Sequence, residues 1–109
     1  FGDLNYYMFV EAAKEDAAAI IALRHQIWGT TYRGIYPDDM IDNFDWAWHR
    51  EKELLRINNP VYSVYLLQKD DQNIGYLTIS RTDGIVLQSL YMAASTNILS
   101  LLIGQVSSL

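Results

Sequence analysis

The chain has 109 residues, 50% of them hydrophobic and 13% aromatic, with a net charge of −5 and no cysteine. That length fits one domain with one core, the apolar share excludes a disordered or low-complexity chain, and the negative charge makes nucleic acid an unfavourable partner, because phosphate neutralisation by Lys and Arg supplies nearly all non-specific affinity. Without cysteine there is no disulfide framework, no thiolate nucleophile and no Cys-based zinc site, and the expected compartment is a reducing one, the cytoplasm.

Residues 1–7 precede Met8 and read as a leader or tag, with a single domain over 8–109. The opening has no basic region leading into an apolar stretch and a small-residue cleavage site, so export is not expected. The alternating stretch FVEAA at 9–13 predicts a first strand. Lys14, Glu15 and Asp16 then open an alanine-rich helix over 17–28, with acids at the positive pole of its dipole. Ile20, Leu23 and Ile27 fall on one face, Arg24 and Gln26 lie off it, and Gly29 supplies a stop. Residues 30–36 keep no period and read as a loop. Pro37, followed by Asp38, Asp39 and Asp42, starts a second helix. Its core face is Met40 or Ile41, Phe44, Trp48 and Leu54-Leu55, and it ends near Asn58-Asn59-Pro60, since the residue before proline is pushed away from the helical region.

The pattern then changes to strand. VYSVYLL at 61–67 and IGYLTIS at 74–80 are rich in β-branched and aromatic residues and are separated by a turn cluster at 70–73. A second turn at 81–84 leads to a third consecutive strand over 85–92, giving an antiparallel meander. In the tail, Ile98, Leu102, Val106 and Leu109 keep helical spacing with Thr96 as N-cap. Residues 84–109 carry no charge, but Ser, Thr, Asn and Gln interrupt them, so they read as buried core rather than as a membrane span. The fold class is α+β: a mixed, largely antiparallel sheet flanked by helices.

Four segments, in this order, carry a resemblance. FVEAAKEDA at 9–17 is a strand running into a helix with an acidic start. WGTTYRGIYP at 28–37 is an aromatic-rich connection. NIGYL at 73–77 opens the third strand, and LQSLYM at 87–92 closes the fourth. Over residues 8–92 the chain resembles the N-terminal half of the GNAT superfamily of acetyl-CoA-dependent N-acyltransferases. The resemblance implies acetyl-CoA as co-substrate, with no metal, and transfer of an acetyl group to an amine of a small molecule or peptide. It implies that Leu90, Tyr91 and Met92 offer their backbone as a hydrogen-bonding rail to pantetheine, and that Trp28, Tyr32 and Tyr36 stand at the acceptor. Read from the residues alone, the same side chains are the core of a central strand and the packing of a loop.

The chain departs from the superfamily after this point. There the fourth strand is followed by Q/R-x-x-G-x-G/A, whose amides at a helix N-terminus hold pyrophosphate, and residues 93–99 contain none of it. The later acid tyrosine and the last strands are also missing, so the domain is expected to be incomplete in its C-terminal half. Catalytic residues are not assigned: Val86 stands where members often carry a strand Glu, and Asp38, Asp39 and Asp42 serve either as a helix cap or as an attraction for a cationic amine. His25 and His49 have no carboxylate at ligand spacing and read as packing residues. The cluster Trp46 to Arg50 reads as a core face or interface. The alternative function is a non-catalytic, truncated remnant that self-associates, and a homodimer is expected in which the uncharged tail covers an exposed sheet edge.

Overall fold

A strand, three helices and a three-strand meander follow one another along the computed structural model, which describes residues 7–82 and 84–90. The elements are β1 (Tyr7–Glu11), α1 (Ala17–Thr30), α2 (Asp38–Asp42), α3 (Trp46–Ile57), β2 (Tyr62–Lys69), β3 (Gln72–Ser80) and β4 (Gly84–Ser89), with a short 3-10 turn, Lys14–Asp16, before α1. The strands form one sheet in the order β1-β2-β3-β4. Every described pair is antiparallel. The α+β class and the meander are as expected. The tail helix expected over 96–109, and with it the cover for the sheet edge, lies outside the described residues. No helix among the described residues is long and apolar enough to cross a membrane.

Side-chain alternation sorts the sheet into two faces. Register places Tyr62 beside Ser80, Val64 beside Thr78 and Leu66 beside Tyr76. It continues into β4 with Gly84, Val86 and Gln88 opposite Ser80, Thr78 and Tyr76. Helix α1 packs on this face: Ile20, Ile21, Leu23 and Ile27 form one buried cluster with Ala12, Val64, Leu66 and Tyr76. Burying each of these aliphatic side chains contributes roughly 1.5–3 kcal/mol before entropy is subtracted. The opposite face is buried too, with Leu67 0% and Leu77 1% exposed.

The hairpin between β2 and β3 is tighter than expected. Lys69 pairs directly with Gln72, so only Asp70 and Asp71 turn the chain, and both have positive φ, 51° and 66°. That is the signature of a type I′ turn, whose twist matches the flanking strands. Gly75 is required for a different reason: a Cβ there would lie 2.6 Å from the Gln88 carbonyl oxygen and 3.1 Å from the Ser89 Cα. The backbones of β3 and β4 approach closely at this point.

Three local expectations are corrected. Helix α1 does not stop at Gly29 but runs to Thr30, whose Oγ1 donates to the Gln26 carbonyl at 2.9 Å. Arg24, placed off the core face, is only 7% exposed. The second helix is two helices, α2 and α3, broken at Asn43, Phe44 and Asp45. Asp45 Oδ1 accepts the Trp48 backbone N–H at 3.0 Å and caps α3 afresh, while Phe44 drops from the break into the core. Restarting the helix rotates its faces. Trp48 and Leu55, expected inside, are 51% and 59% exposed, and Glu53 is 0% exposed.

Candidate functional site

The site grows from a charge that the fold cannot leave bare. Arg24 lies one turn after Ile20 and one turn before Ile27 and Trp28, so α1 carries it into the core, where a guanidinium needs partners. Its Nη2 donates to Glu53 Oε1 at 2.6 Å, its Nε to the Tyr76 hydroxyl at 3.0 Å, and its Nη1 lies 3.3 Å from His49 Nδ1. Arg56 Nη1 donates to the same Glu53 oxygen at 2.7 Å. Glu53 Oε2 is buried without a partner. Two guanidiniums thus share one carboxylate between α1 and α3.

From Arg24 the network crosses to the sheet. Tyr76 donates to Gln88 Oε1, and Trp28 Nε1 donates to the same oxygen at 3.3 Å. Burial pushes the Tyr76 hydroxyl up to about 12 against the opposing pull of Arg24, so the phenol stays neutral and acts as a donor, not as a base. Burial opposes the charge on Arg24, but Tyr76 and Glu53 outweigh it and hold the guanidinium above its ordinary value. Burial, reinforced by the Arg24 charge, holds His49 below its ordinary value, which favours the neutral ring stacked on Phe44 at 4.1 Å.

Arg24, Arg56, Trp28, Tyr76 and Gln88 form one wall of a cavity of about 320 Å³ between the helices and the β3–β4 half of the sheet. It follows the register rows. Arg56 and Tyr62 stand at the Ser80–Gly84 end, with the Arg56 guanidinium 5.9 Å from the Tyr62 ring centroid. Trp28, Tyr76 and Gln88 stand at the other end, and Arg24 joins the two, bonding Tyr76 on one side and sharing Glu53 with Arg56 on the other. No carboxylate or imidazole lines the cavity among the described residues.

The three aromatic residues expected at an acceptor are brought together. Trp28 and Tyr36 meet edge-on at 5.1 Å, and Tyr32 stacks on Tyr36 at 4.8 Å, tilted by 11°. Trp28 lines the cavity, whereas Tyr32 packs against the core. Of the three expected rail residues only Leu90 is described; Tyr91 and Met92 lie outside the described residues. The Leu90 N–H donates to the Ile74 carbonyl at 2.8 Å and its side chain packs on the core, so that N–H is already committed within the sheet. Val86, where a strand Glu was sought, lines the cavity and is 53% exposed.

Two of the three acidic residues of α2 answer to an internal cation, while Asp39 accepts from the Asn43 side-chain amide. Arg33 reaches Asp42 at 2.8 Å and Asp38 at 3.4 Å. His25 packs between Phe44 and Trp46 at 5.1 and 4.7 Å. No group of three or more metal-ligating side chains occurs among the described residues. The sequence reading missed Arg24, Glu53, Tyr76 and Gln88. A signal existed for the first: a lone arginine inside an apolar helical stripe predicts a buried counter-ion elsewhere.

No family model matches the chain, and no curated protein matches it. A solved structure does. The crystal structure of a predicted acetyltransferase with acetyl-CoA from Clostridium acetobutylicum superposes with a TM-score of 0.57 over 94% of this chain and 74% of that one, at 14% identity. The two proteins share a fold.

Proposed function

We propose that the chain is an acetyl-CoA-dependent N-acetyltransferase that transfers an acetyl group to an amine of a small molecule or peptide. The observation that carries this reading is the shared fold, over 94% of the chain, with a protein solved with acetyl-CoA. The cavity supports it, since its lining residue Gln88 stands two positions before Leu90, which Tyr91 and Met92 follow in the sequence. In this reading Leu90, Tyr91 and Met92 hold the pantetheine arm through their backbone, and Trp28, with Tyr36 packed on its edge and Tyr32 on Tyr36, walls the acceptor.

Acetyl-CoA supplies an activated thioester. The acceptor nitrogen attacks its carbonyl carbon, the C–N bond forms, the C–S bond breaks, and the proton lost by the amine ends on the departing thiolate or in solvent. Tyr76, held neutral, donates to Gln88 and fixes its carboxamide rather than taking the proton. With no carboxylate or imidazole among the described lining residues, the acceptor enters with its amine already neutral, and proximity to the thioester provides the acceleration.

Isothermal titration of the purified chain with coenzyme A and acetyl-CoA tests the reading. Saturable heat at micromolar ligand is expected. No heat at high micromolar ligand overturns it in favour of the non-catalytic, self-associating alternative.

A further inference from the structure

We infer that the acceptor carries a carboxylate as well as an amine, as an amino acid or a short peptide does, and that Arg56 binds the carboxylate. The inference rests on the acetyl-transfer reading for the role of the amine, but the anion site stands on its own geometry. Among the described residues the cavity wall holds two positive charges, Arg24 and Arg56, against the single Glu53 carboxylate behind them, which leaves one positive charge facing the cavity. No lining residue among those described is acidic. A polyamine would therefore meet repulsion, although the chain as a whole carries a net charge of −5. One surplus charge matches one carboxylate rather than a phosphate dianion.

The two arginines differ in what they have left to give. Arg24 commits its Nε and both terminal nitrogens to Tyr76, Glu53 and His49 and is almost fully buried. Arg56 gives one nitrogen to Glu53, and its side chain is 33% exposed. Its remaining N–H groups can form the planar fork that recognises a carboxylate with two parallel bonds. Glu53 fixes one end of that fork and the Tyr62 ring its face. Arg56 is therefore oriented without being neutralised.

Register sets the spacing. Tyr62, whose ring centroid lies 5.9 Å from the Arg56 guanidinium, is at the Gly84 row of the sheet, and Gln88, which accepts from Trp28, is at the Tyr76 row. The Cα atoms of the two rows are separated by four residues of β4, about 13 Å at roughly 3.3 Å per residue, but the Arg56 guanidinium stands beside that of Arg24, since both bond Glu53 Oε1, at 2.7 and 2.6 Å, so the span open to the acceptor is shorter. The carboxylate binds at the first end, and the neutral amine is presented at the second. A cavity of about 320 Å³ suits an acceptor of a few residues at most.

The test measures binding of three probes to the full chain by calorimetry, without coenzyme A: glycylglycine, its C-terminal amide, and spermidine. Glycylglycine is expected to bind at least tenfold tighter than the amide, and spermidine more weakly than both. Arg56→Gln should abolish the difference between acid and amide, and Arg56→Lys, which keeps the charge but not the fork, should restore part of it. Circular dichroism matching the wild type shows that each variant is folded. The inference is overturned if the amide binds within threefold of the acid, if spermidine binds tighter, if glycylglycine gives no heat at millimolar concentration, or if folded Arg56→Gln still discriminates. Acetyl-CoA binding without glycylglycine binding rejects this inference and keeps the acetyl-transfer reading. Glycylglycine binding without acetyl-CoA binding rejects that reading and keeps the anion site.

Discussion

Glu53 decides more than any other single residue. Among the described residues it is the one carboxylate that bonds both Arg24 and Arg56, and it is 0% exposed. Glu53→Gln leaves Arg24 buried without a counter-ion, and the expected cost is about 3–5 kcal/mol, read from denaturant unfolding. Adding Arg24→Met to Glu53→Leu removes both charges, and the double variant should recover most of that loss; a double variant as unstable as Glu53→Gln would mean that the pair acts through shape rather than charge. His49 gives a pH signature. Its folded-state value lies below the ordinary 6.5, so between the two values the unfolded chain binds more protons. Stability is therefore complete above about pH 6.5 and is lost as pH falls towards the folded-state value. Denaturation curves of the wild type from pH 8 to pH 5 should show this fall, and His49→Gln should flatten it.

Among the elements, the β3–β4 pair positions the site. Gly75 lets the two backbones close at the point where Gln88 turns its side chain to Tyr76 and Trp28. Gly75→Ala would set a Cβ 2.6 Å from the Gln88 carbonyl oxygen, a clash with backbone that cannot rotate away. The expected penalty is about 1–3 kcal/mol, together with a shifted Trp28 indole N–H resonance as Gln88 moves. An unchanged resonance would mean that β4 absorbs the methyl elsewhere. Helix α3 is the element least like its sequence pattern. Its tryptophans face outward, half exposed, and its glutamate faces inward, because the new cap at Asp45 and the demand of Arg24 set its rotation together.

For the whole molecule, the acetyl-transfer reading makes a thermodynamic prediction. A ligand that binds only the folded state at 100 times its dissociation constant adds about 2.7 kcal/mol of stability. In a domain of this size that raises the melting temperature by roughly 10 °C, and a thermal scan with acetyl-CoA at that excess reads it directly. A melting temperature unmoved by acetyl-CoA would count against the reading at the level of the entire fold. The architecture itself needs no ligand to be understood: a meander of local hairpins receives β1 on one edge and α1 on one face, and both sheet faces are buried.

Local pattern alone determined the order of the strands, the antiparallel meander and the acid-led start of α1, because β-branched runs, turn clusters and helical spacing act between residues near in sequence. The family resemblance, not the pattern, singled out Trp28, Tyr32 and Tyr36, which the structure gathers into one aromatic group. The two-residue turn at Asp70 and Asp71 was blurred because strand pairing, not propensity, pulled Gln72 and Asn73 into β3. The break at Asn43 to Asp45 was legible in principle, since two capping residues flank Phe44 there. Only the tertiary structure decided the site. Arg24 meets Glu53 29 residues away and Tyr76 52 residues away, and no periodicity links positions on three different elements. A buried charge selects its partners through space, after the backbone has brought them within reach, so its counter-ion, its hydroxyl and the cavity beside them exist only once helix and sheet have packed.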